Sequence, residues 1–533
     1  MPPPSSSFRA APAPGSSIAS ASASSASASG ARLADSSSRA RTTRLRLDWP
    51  GRAWEPAQPA LSGLEGREDA SERGERDESG TGEDPVLAVK PIPEIAPTEI
   101  FASAGEGGAA GAPAGRLVHG DSLDVARALA AEGLKAKVDL VYVDPPFASQ
   151  MAYVHEARLD GPADGRVVRT TAYDDRWERD GVGSYLDMLA PRLEALAALL
   201  APAGTIWVHV DWRASYLVRL LLDELMGREA FINEIVWKRA PNLGRQAASH
   251  QFGRTLDTLV VYGRRGAKLV PPTRVEAIEP TAVRWDEQGR PFTTAPRGDY
   301  TDESIARLDA EGRVHRTASG RVYVKYFLVK NADGTHGRAR RVDALWTDVP
   351  PLRHARSGER TGYPTQKPRA LLDRVIACAC PPGGLVVDLF GGSGTTGESA
   401  YELGRRFVLG DASALALATA RARLLRAEAK FVVERCGAVW TGEARDPAAQ
   451  VSVAVSGPQV QVTLLAPREP LAWAIDPAHD PERPFRTAWH SERTLGARVR
   501  GVTREATLEH RAGPIAVRVW HDDGGVETIV VPS

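Results

Sequence analysis

Four consecutive residues, Asp144, Pro145, Pro146 and Phe147, close the apolar run VDLVYV at 138–143. Proline has no N–H, so a turn built on two of them offers acceptors and almost no donors. The Asp144 carboxylate and the Pro145 carbonyl can converge on one NH2 group, and Phe147 can stack on a flat ring. The set fits a planar heterocycle bearing an exocyclic amine. Two acceptors on the hydrogens of such an amine favour its pyramidal form and free a lone pair otherwise conjugated with the ring. Preorganised dipoles of this kind commonly supply much of a rate enhancement. No covalent enzyme adduct is needed. A Pro-Pro pair alone would favour a structural turn with Phe147 in the core; the full quartet after a buried strand does not.

A second stretch, VVDLFGGSGTTG at 386–397, places Asp388 at a strand end and then Gly391, Gly392 and Gly394. Glycine lets the backbone turn tightly and approach a ligand. The helix start that follows presents free N–H groups. Asp411 ends the next strand, about 20 residues on, where an acid can bind ribose hydroxyls. The stretch lacks the GK[ST] of a phosphate loop. Its spacing is not GxGxxG, and Asp388 would repel a pyrophosphate. An acid beside the turn suits a cationic or amine-bearing nucleoside, and S-adenosylmethionine carries both a sulfonium and an amino group.

Both stretches need a scaffold, and the pattern from Arg116 supplies one. RLVHGDSLD reads as strand and turn, VARALAAEGL as helix, VDLVYVD as a buried strand. SYLDMLAPRLEALAALLAPAG has helical spacing and stops at Pro202 and Gly204. TIWVHVDW, SYLVRLLLDELMG and FINEIVWKR continue as strand, helix and strand. After Thr361, KPRALLDRVIACAC, the glycine stretch, RRFVLGDAS and ALALATARARLLRAEAK resume the alternation. Such alternation predicts an α/β fold, a doubly wound, mostly parallel sheet covered on both faces. The alternation breaks at about Lys238. Residues 238–369 hold 25 Lys+Arg against 14 Asp+Glu, although the whole chain has a net charge of zero. The excess reads as a polyanion surface or as a solvated insertion.

The 533 residues exceed one ordinary core. The first 95 residues read as a Ser/Ala/Pro-rich tail and a mixed-charge linker, disordered by composition; the Ser-rich, acid-poor start also has the character of a transit peptide. Beyond about 430, apolar residues alternate with period two, which predicts a small β-rich C-terminal domain with a structural or partner-docking role. No apolar run reaches the roughly 18 residues of a membrane span. Cys378, Cys380 and Cys436 form neither a disulfide framework nor a CxxC metal pattern, which fits a reducing cytoplasm and predicts no metal site.

HGDSL (119–123), DPPF (144–147), YLDMLAPRL (185–193), TIWVHVDW (205–212), YPTQKP (363–368), DLFGGSGTTG (388–397) and GRRFVLGDAS (404–413) occur in that order. Together they resemble the site-specific DNA amino-methyltransferases of the permuted "beta" arrangement, the adenine-N6 and cytosine-N4 group related to type III modification subunits. The resemblance covers roughly 114–428. It implies the S-adenosylmethionine-dependent methyltransferase fold, with a catalytic half at 96–237, a target-recognition insertion for double-stranded DNA at 238–350 and a cofactor half at 351–428; it says little about 1–95 or 430–533, and the C-terminal domain at 429–533 rests on the period-two pattern alone. It implies catalytic roles for Asp144, Pro145, Pro146 and Phe147. It places the cofactor against Asp121, Thr365, Gln366, Lys367, Asp388, Phe390, Gly392, Gly394 and Asp411. The chain departs from the commoner pattern at Tyr363, where many members have His, and at Phe147, where Tyr is commoner. Asp at 144 implies adenine, since cytosine-N4 members more often carry Ser there. The resemblance leaves open cytosine-N4 methylation, or a methyltransferase-like DNA-binding subunit of a restriction–modification complex. A restriction or translocation subunit and a homodimer are the partners it suggests; no membrane is expected.

Overall fold

The computed structural model describes residues 47–48, 52, 92–101, 114–158, 167–177, 181–242, 250–331, 333–355, 358–437, 449–467, 470–493, 502–509, 513–521 and 525–532. The low-complexity tail and most of the charged linker lie outside them. The first elements in chain order are β1 (Ile95–Phe101), β2 (Gly115–His119), α1 (Ser122–Leu129), β3 (Val138–Val143), β4 (Ala152–Arg158), β5 (Val167–Asp174), α2 (Gly181–Leu199), β6 (Leu200–Val210), α3 (Ser215–Met226), β7 (Phe231–Lys238) and β8 (Leu256–Gly263).

β3 buries every residue but Asp139, as its near-continuous apolar sequence requires of a central strand. It lies inside an eleven-stranded sheet ordered Leu345–Trp346, β7, β8, β6, β3, Leu385–Asp388, Arg406–Asp411, β2, Phe431–Cys436, β1, Phe485–Arg486. Its centre is parallel: β3 pairs with β6 and with Leu385–Asp388, which pairs with Arg406–Asp411, which pairs with β2. Val125, Leu189 and Val218 of α1, α2 and α3 pack with Val141, Val143 and Val208 on one face. Helices Arg369–Ala379, Thr395–Glu402 and Ala414–Arg426 pack Leu371, Val375, Ala400 and Leu424 with Leu140, Tyr142 and Phe407 on the other. Each such large side chain contributes about 1.5–3 kcal/mol on burial. The fold is the α/β, doubly wound, mostly parallel sheet that the alternation predicts.

β2, β3, β6, Leu385–Asp388 and Arg406–Asp411 run the same way. Each meets an acid at or just past its end: Asp121, Asp144, Asp211, Asp388 and Asp411. In open α/β sheets this carboxyl edge is where ligands bind.

The sequence-based boundaries shift in two places. α2 stops at Leu199, ahead of Pro202, and β6 starts there rather than at Thr205. β8, inside the stretch assigned to the basic insertion, belongs to the main sheet, antiparallel to both β6 and β7. Its Leu259, Val260, Val261 and Tyr262 are buried. The intervening residues Thr273–Arg341 form a four-stranded and a three-stranded sheet with the helix Asp302–Ala310, and Leu345–Trp346 rejoins β7.

The C-terminal strands form a three-stranded and a four-stranded sheet that share a core of Val460, Val462, Trp473, Ile475 and Val517. Phe485–Arg486 pairs in parallel with β1. Arg421 joins Glu99 of β1 at 2.8 Å and Glu492 at 2.6 Å, its guanidinium 4.0 Å from the Trp520 ring. The C-terminal region is thus held to the main sheet by backbone pairing and a buried ion-pair cluster.

Candidate active site

After β3 the chain turns a hard corner. Ala148 and Gln150 take positive φ, 54° and 61°, which non-glycine residues rarely adopt. The corner holds because its donors are taken from behind. The N–H groups of Phe147, Ala148 and Ser149 donate to the Asp175 carboxylate at 3.2, 3.1 and 2.8 Å. Trp177 Nε1 donates to the same carboxylate at 2.8 Å. Tyr185 donates its hydroxyl to the Pro146 carbonyl at 3.0 Å. Asp144 accepts from Lys367 Nζ through Oδ2. Among the described residues, Asp144 Oδ1 and the Pro145 carbonyl accept nothing. The Phe147 ring is half-buried, 6.0 Å from the His209 ring and 5.2 Å from Lys367 Nζ.

The glycine turn stands on the next strand over, with Val387 beside Val141. Here the acids hold the turn itself. Asp388 accepts from Phe390 N at 3.0 Å and Thr396 Oγ1 at 2.6 Å. Asp411 accepts from Gly392 N at 2.9 Å and Ser413 N at 2.8 Å. Burial pushes the Asp388 pKa up to about 7, with Asp144 and Asp411 adding repulsion, and burial pushes Asp411 up to about 6. Gly394 has φ 77°, and a Cβ there would meet the Ala420 Cα at 2.7 Å, so no side chain fits. Asp121 caps α1, accepting from Leu123 N at 2.9 Å, and Arg192 of α2 grips both Asp121 and Ser122.

The segment 361–368 closes the cavity between these turns. Thr365 has φ 61°, and its Oγ1 accepts from the Tyr173 hydroxyl at 3.2 Å. Gln366 is committed to its own loop. Its Oε1 accepts from Thr361 N and Oγ1, both at 2.8 Å, and its Nε2 donates to Glu359 O at 2.8 Å. Tyr363 is buried against Gly392. The cavity is about 260 Å³, and its walls include Asp121, Asp144, Pro145, Pro146, Phe147, Thr365, Gln366, Lys367, Asp388, Phe390, Gly392 and Asp411. Of the residues singled out in the sequence, Gly394 alone lies behind the wall.

Reading the sequence missed the supports. Asp175, Tyr173 and Trp177 come from the β4–β5 hairpin and its exit, where no motif marks them. Beneath Phe147 runs a buried chain. Tyr142 OH meets His209 Nδ1 at 2.8 Å, His209 Nε2 meets Asp257 Oδ2 at 3.3 Å, and Arg239 Nε donates to Asp257 Oδ1 at 2.6 Å. Burial opposes the charge on Asp257, but the His209 hydrogen bond, with His209, Arg239 and Lys367 nearby, brings its pKa below the usual range. Among the described residues, no group of three or more His, Cys, Asp or Glu could hold a metal ion, and no helix is long and apolar enough to cross a membrane.

Residues 138–420 match the family model N6_N4_Mtase, DNA methylase. This chain belongs to that DNA methylase family. It is 26% identical over 322 residues to the type II methyltransferase M.EcaI of Enterobacter cloacae, covering 55% of this chain and 66% of that one. It is 24% identical over 334 residues to the Mod subunit of the type III restriction–modification enzyme StyLTI of Salmonella typhimurium, covering 54% of this chain and 50% of that one. The chain thus spans less than two thirds of the length of either curated relative. Among solved structures it is similar to M1.HpyAVI in complex with SAM, at 17% identity and a TM-score of 0.33, over 58% of this chain and 98% of that one. It is also similar to the cytosine-N4-specific PvuII DNA methyltransferase, at 16% identity and a TM-score of 0.34, over 58% and 88%.

Proposed function

We propose that this member of the DNA methylase family transfers a methyl group from S-adenosylmethionine to the N6 amine of adenine in double-stranded DNA. One observation carries the reading. The proline corner has the N–H groups of Phe147, Ala148, Ser149 and Gln150 satisfied and two acceptors open, Asp144 Oδ1 and the Pro145 carbonyl, beside an aromatic ring in the same cavity as the glycine turn. A carboxylate has about four lone-pair sites, so the Lys367 hydrogen bond leaves room for a second donor.

The residues present fit the cofactor. Asp121, Asp388 and Asp411 are tied to the turns, but each carboxylate has about four lone-pair sites, which leaves acceptors suited to a sulfonium, an amine and ribose hydroxyls. The glycines leave the turn free of side chains, and Phe390 offers an apolar face. When bound, S-adenosylmethionine supplies the electrophilic methyl group. Asp144 and the Pro145 carbonyl accept the two amine hydrogens and pull the nitrogen toward pyramidal geometry. Asp144 stands to take the proton the nitrogen sheds as it gains the methyl. Phe147 stacks on the base, returning roughly 1–3 kcal/mol against the few kcal/mol that extruding a base from the duplex costs. The Thr273–Arg341 insertion, with its Lys and Arg, holds the duplex and reads it.

The test is transfer of tritiated methyl to unmethylated genomic DNA, followed by digestion to nucleosides. Label in N6-methyladenine is expected. Label in N4-methylcytosine would overturn the base assignment, and no label would overturn the reaction. Sequencing the methylated DNA would give the recognition site.

A further inference from the structure

β6 ends at Val210, and the turn that follows it carries Trp212, which is 47% exposed. Arg254 lies 4.0 Å over the Trp212 ring, and Arg213 lies 5.3 Å from it. Tyr216, in the first turn of α3, is 57% exposed, and Phe252, in the β7–β8 connection, is 100% exposed. Isolated exposed apolar side chains are ordinary. This group is different because Arg254 stacks on Trp212 while Phe252 stands two residues from Arg254 and Tyr216 four residues from Trp212. Arg254 hydrogen-bonds Gln251 Oε1 at 3.4 Å and meets no carboxylate among the described residues.

The stem under Phe252 is built. Gly253 backs onto Asn242, whose Oδ1 would lie 2.2 Å from an added Cβ. Thr255 N donates to Gly253 O at 3.0 Å, and Ala240 N donates to Thr255 O at 3.3 Å. Arg239 and Asp257 clamp the two strands below at 2.6 Å. A bare aromatic ring thus stands on an anchored support. The support sits beside the cavity. The Phe147 and His209 rings are 6.0 Å apart, and Trp212 is only three residues past His209, so its backbone lies no more than roughly 10 Å away.

A base drawn into the cavity leaves a gap in the duplex it came from. We propose that Phe252 enters that gap, with Trp212 and Arg254 forming the shelf that carries the adjoining strand. The inference rests on the reading that this cavity takes a base out of duplex DNA. An apolar side chain can stand in for an unstacked base, and an aromatic ring suits any neighbour because every base has a π-face. The guanidinium of Arg254, which meets no carboxylate among the described residues, favours a polyanion over a protein surface.

The experiment uses the full chain and a duplex carrying the motif found by sequencing methylated DNA. Two versions are made, one with the target base paired and one with the target opposite an abasic position. Phe252→Ala should lose roughly tenfold or more of methyl transfer on the paired duplex and recover most of it on the abasic one, where less stacking must be replaced. Phe252→Trp should stay near wild type on both. Cofactor affinity, read by calorimetry, should be unchanged. An equal loss on both duplexes would overturn the inference, as would no loss on either. Wild-type protein that methylates no DNA would sink the reading of the cavity itself, a failure visible before any variant is made.

Discussion

The proline corner and the glycine turn stand on neighbouring strands and use carboxylates in opposite ways. At the glycine turn the acids are structural ties. Asp388 and Asp411 spend their oxygens on the turn's own N–H groups and on Thr396, and burial raises both pKa values. At the proline corner the tie is brought in from outside. Asp175 takes the backbone donors, and Asp144 takes none of them. One turn is shaped by its own acids. The other delegates its shape to a distant acid and leaves its own facing the cavity. The difference separates the carboxylates that hold a site from the carboxylate that can act in it.

Removing Asp175 should break the corner while sparing the glycine turn. Asp175→Ala strips the acceptor from three backbone N–H groups and from Trp177, and an unpaired buried donor costs about 1–3 kcal/mol. Methyl transfer should fall about 100-fold, the loss typical of a reacting group displaced by an ångström, with cofactor affinity nearly intact by calorimetry. Equal losses in both would mean that the two turns are not separable. The converse variant is Gly394→Ala. A left-handed backbone costs a residue with a Cβ about 1–2 kcal/mol before any clash with Ala420, so cofactor binding should weaken about tenfold while transfer at saturating cofactor largely survives.

Titration gives a smaller effect. Because the Asp388 pKa is raised on folding, its contribution to stability is whole below the ordinary carboxylate range and is lost as pH rises through about 7. The difference in Tm between Asp388→Asn and wild type should therefore move in the variant's favour from about pH 5 to pH 8. A flat difference would show that Asp388 titrates like an exposed acid. The smallest effect belongs to the insertion. Arg338→Glu with Arg341→Glu should weaken DNA binding and lower the salt slope by about one for each phosphate left without its cation, leaving cofactor binding alone.

The legible parts of this molecule were those with local chemistry. VDLVYV and LVVD declare buried strands by β-branched content, and the proline and glycine runs after them declare turns, so Asp144, Asp388, Asp411 and Gly394 could be singled out by type and spacing. Asp175 could not, because it meets the corner only after the β4–β5 hairpin folds back, and nothing in AYDDRW sets it apart from the neighbouring Asp174. His209 and Asp257 come together only through the antiparallel pairing of β6 with β8. β8 itself was hidden among Arg254, Arg264 and Arg265, whose charge made the stretch read as insertion. Gln366 shows the opposite limit. The motif that contains it is plain in the sequence, yet the structure gives its amide to Thr361 and Glu359.

The most direct test of a delegated corner is Asp144→Ala, assayed for tritiated methyl transfer to DNA and for S-adenosylmethionine affinity on the same preparation. The account predicts that transfer is abolished while affinity stays close to wild type. Transfer that survived in the variant would contradict it.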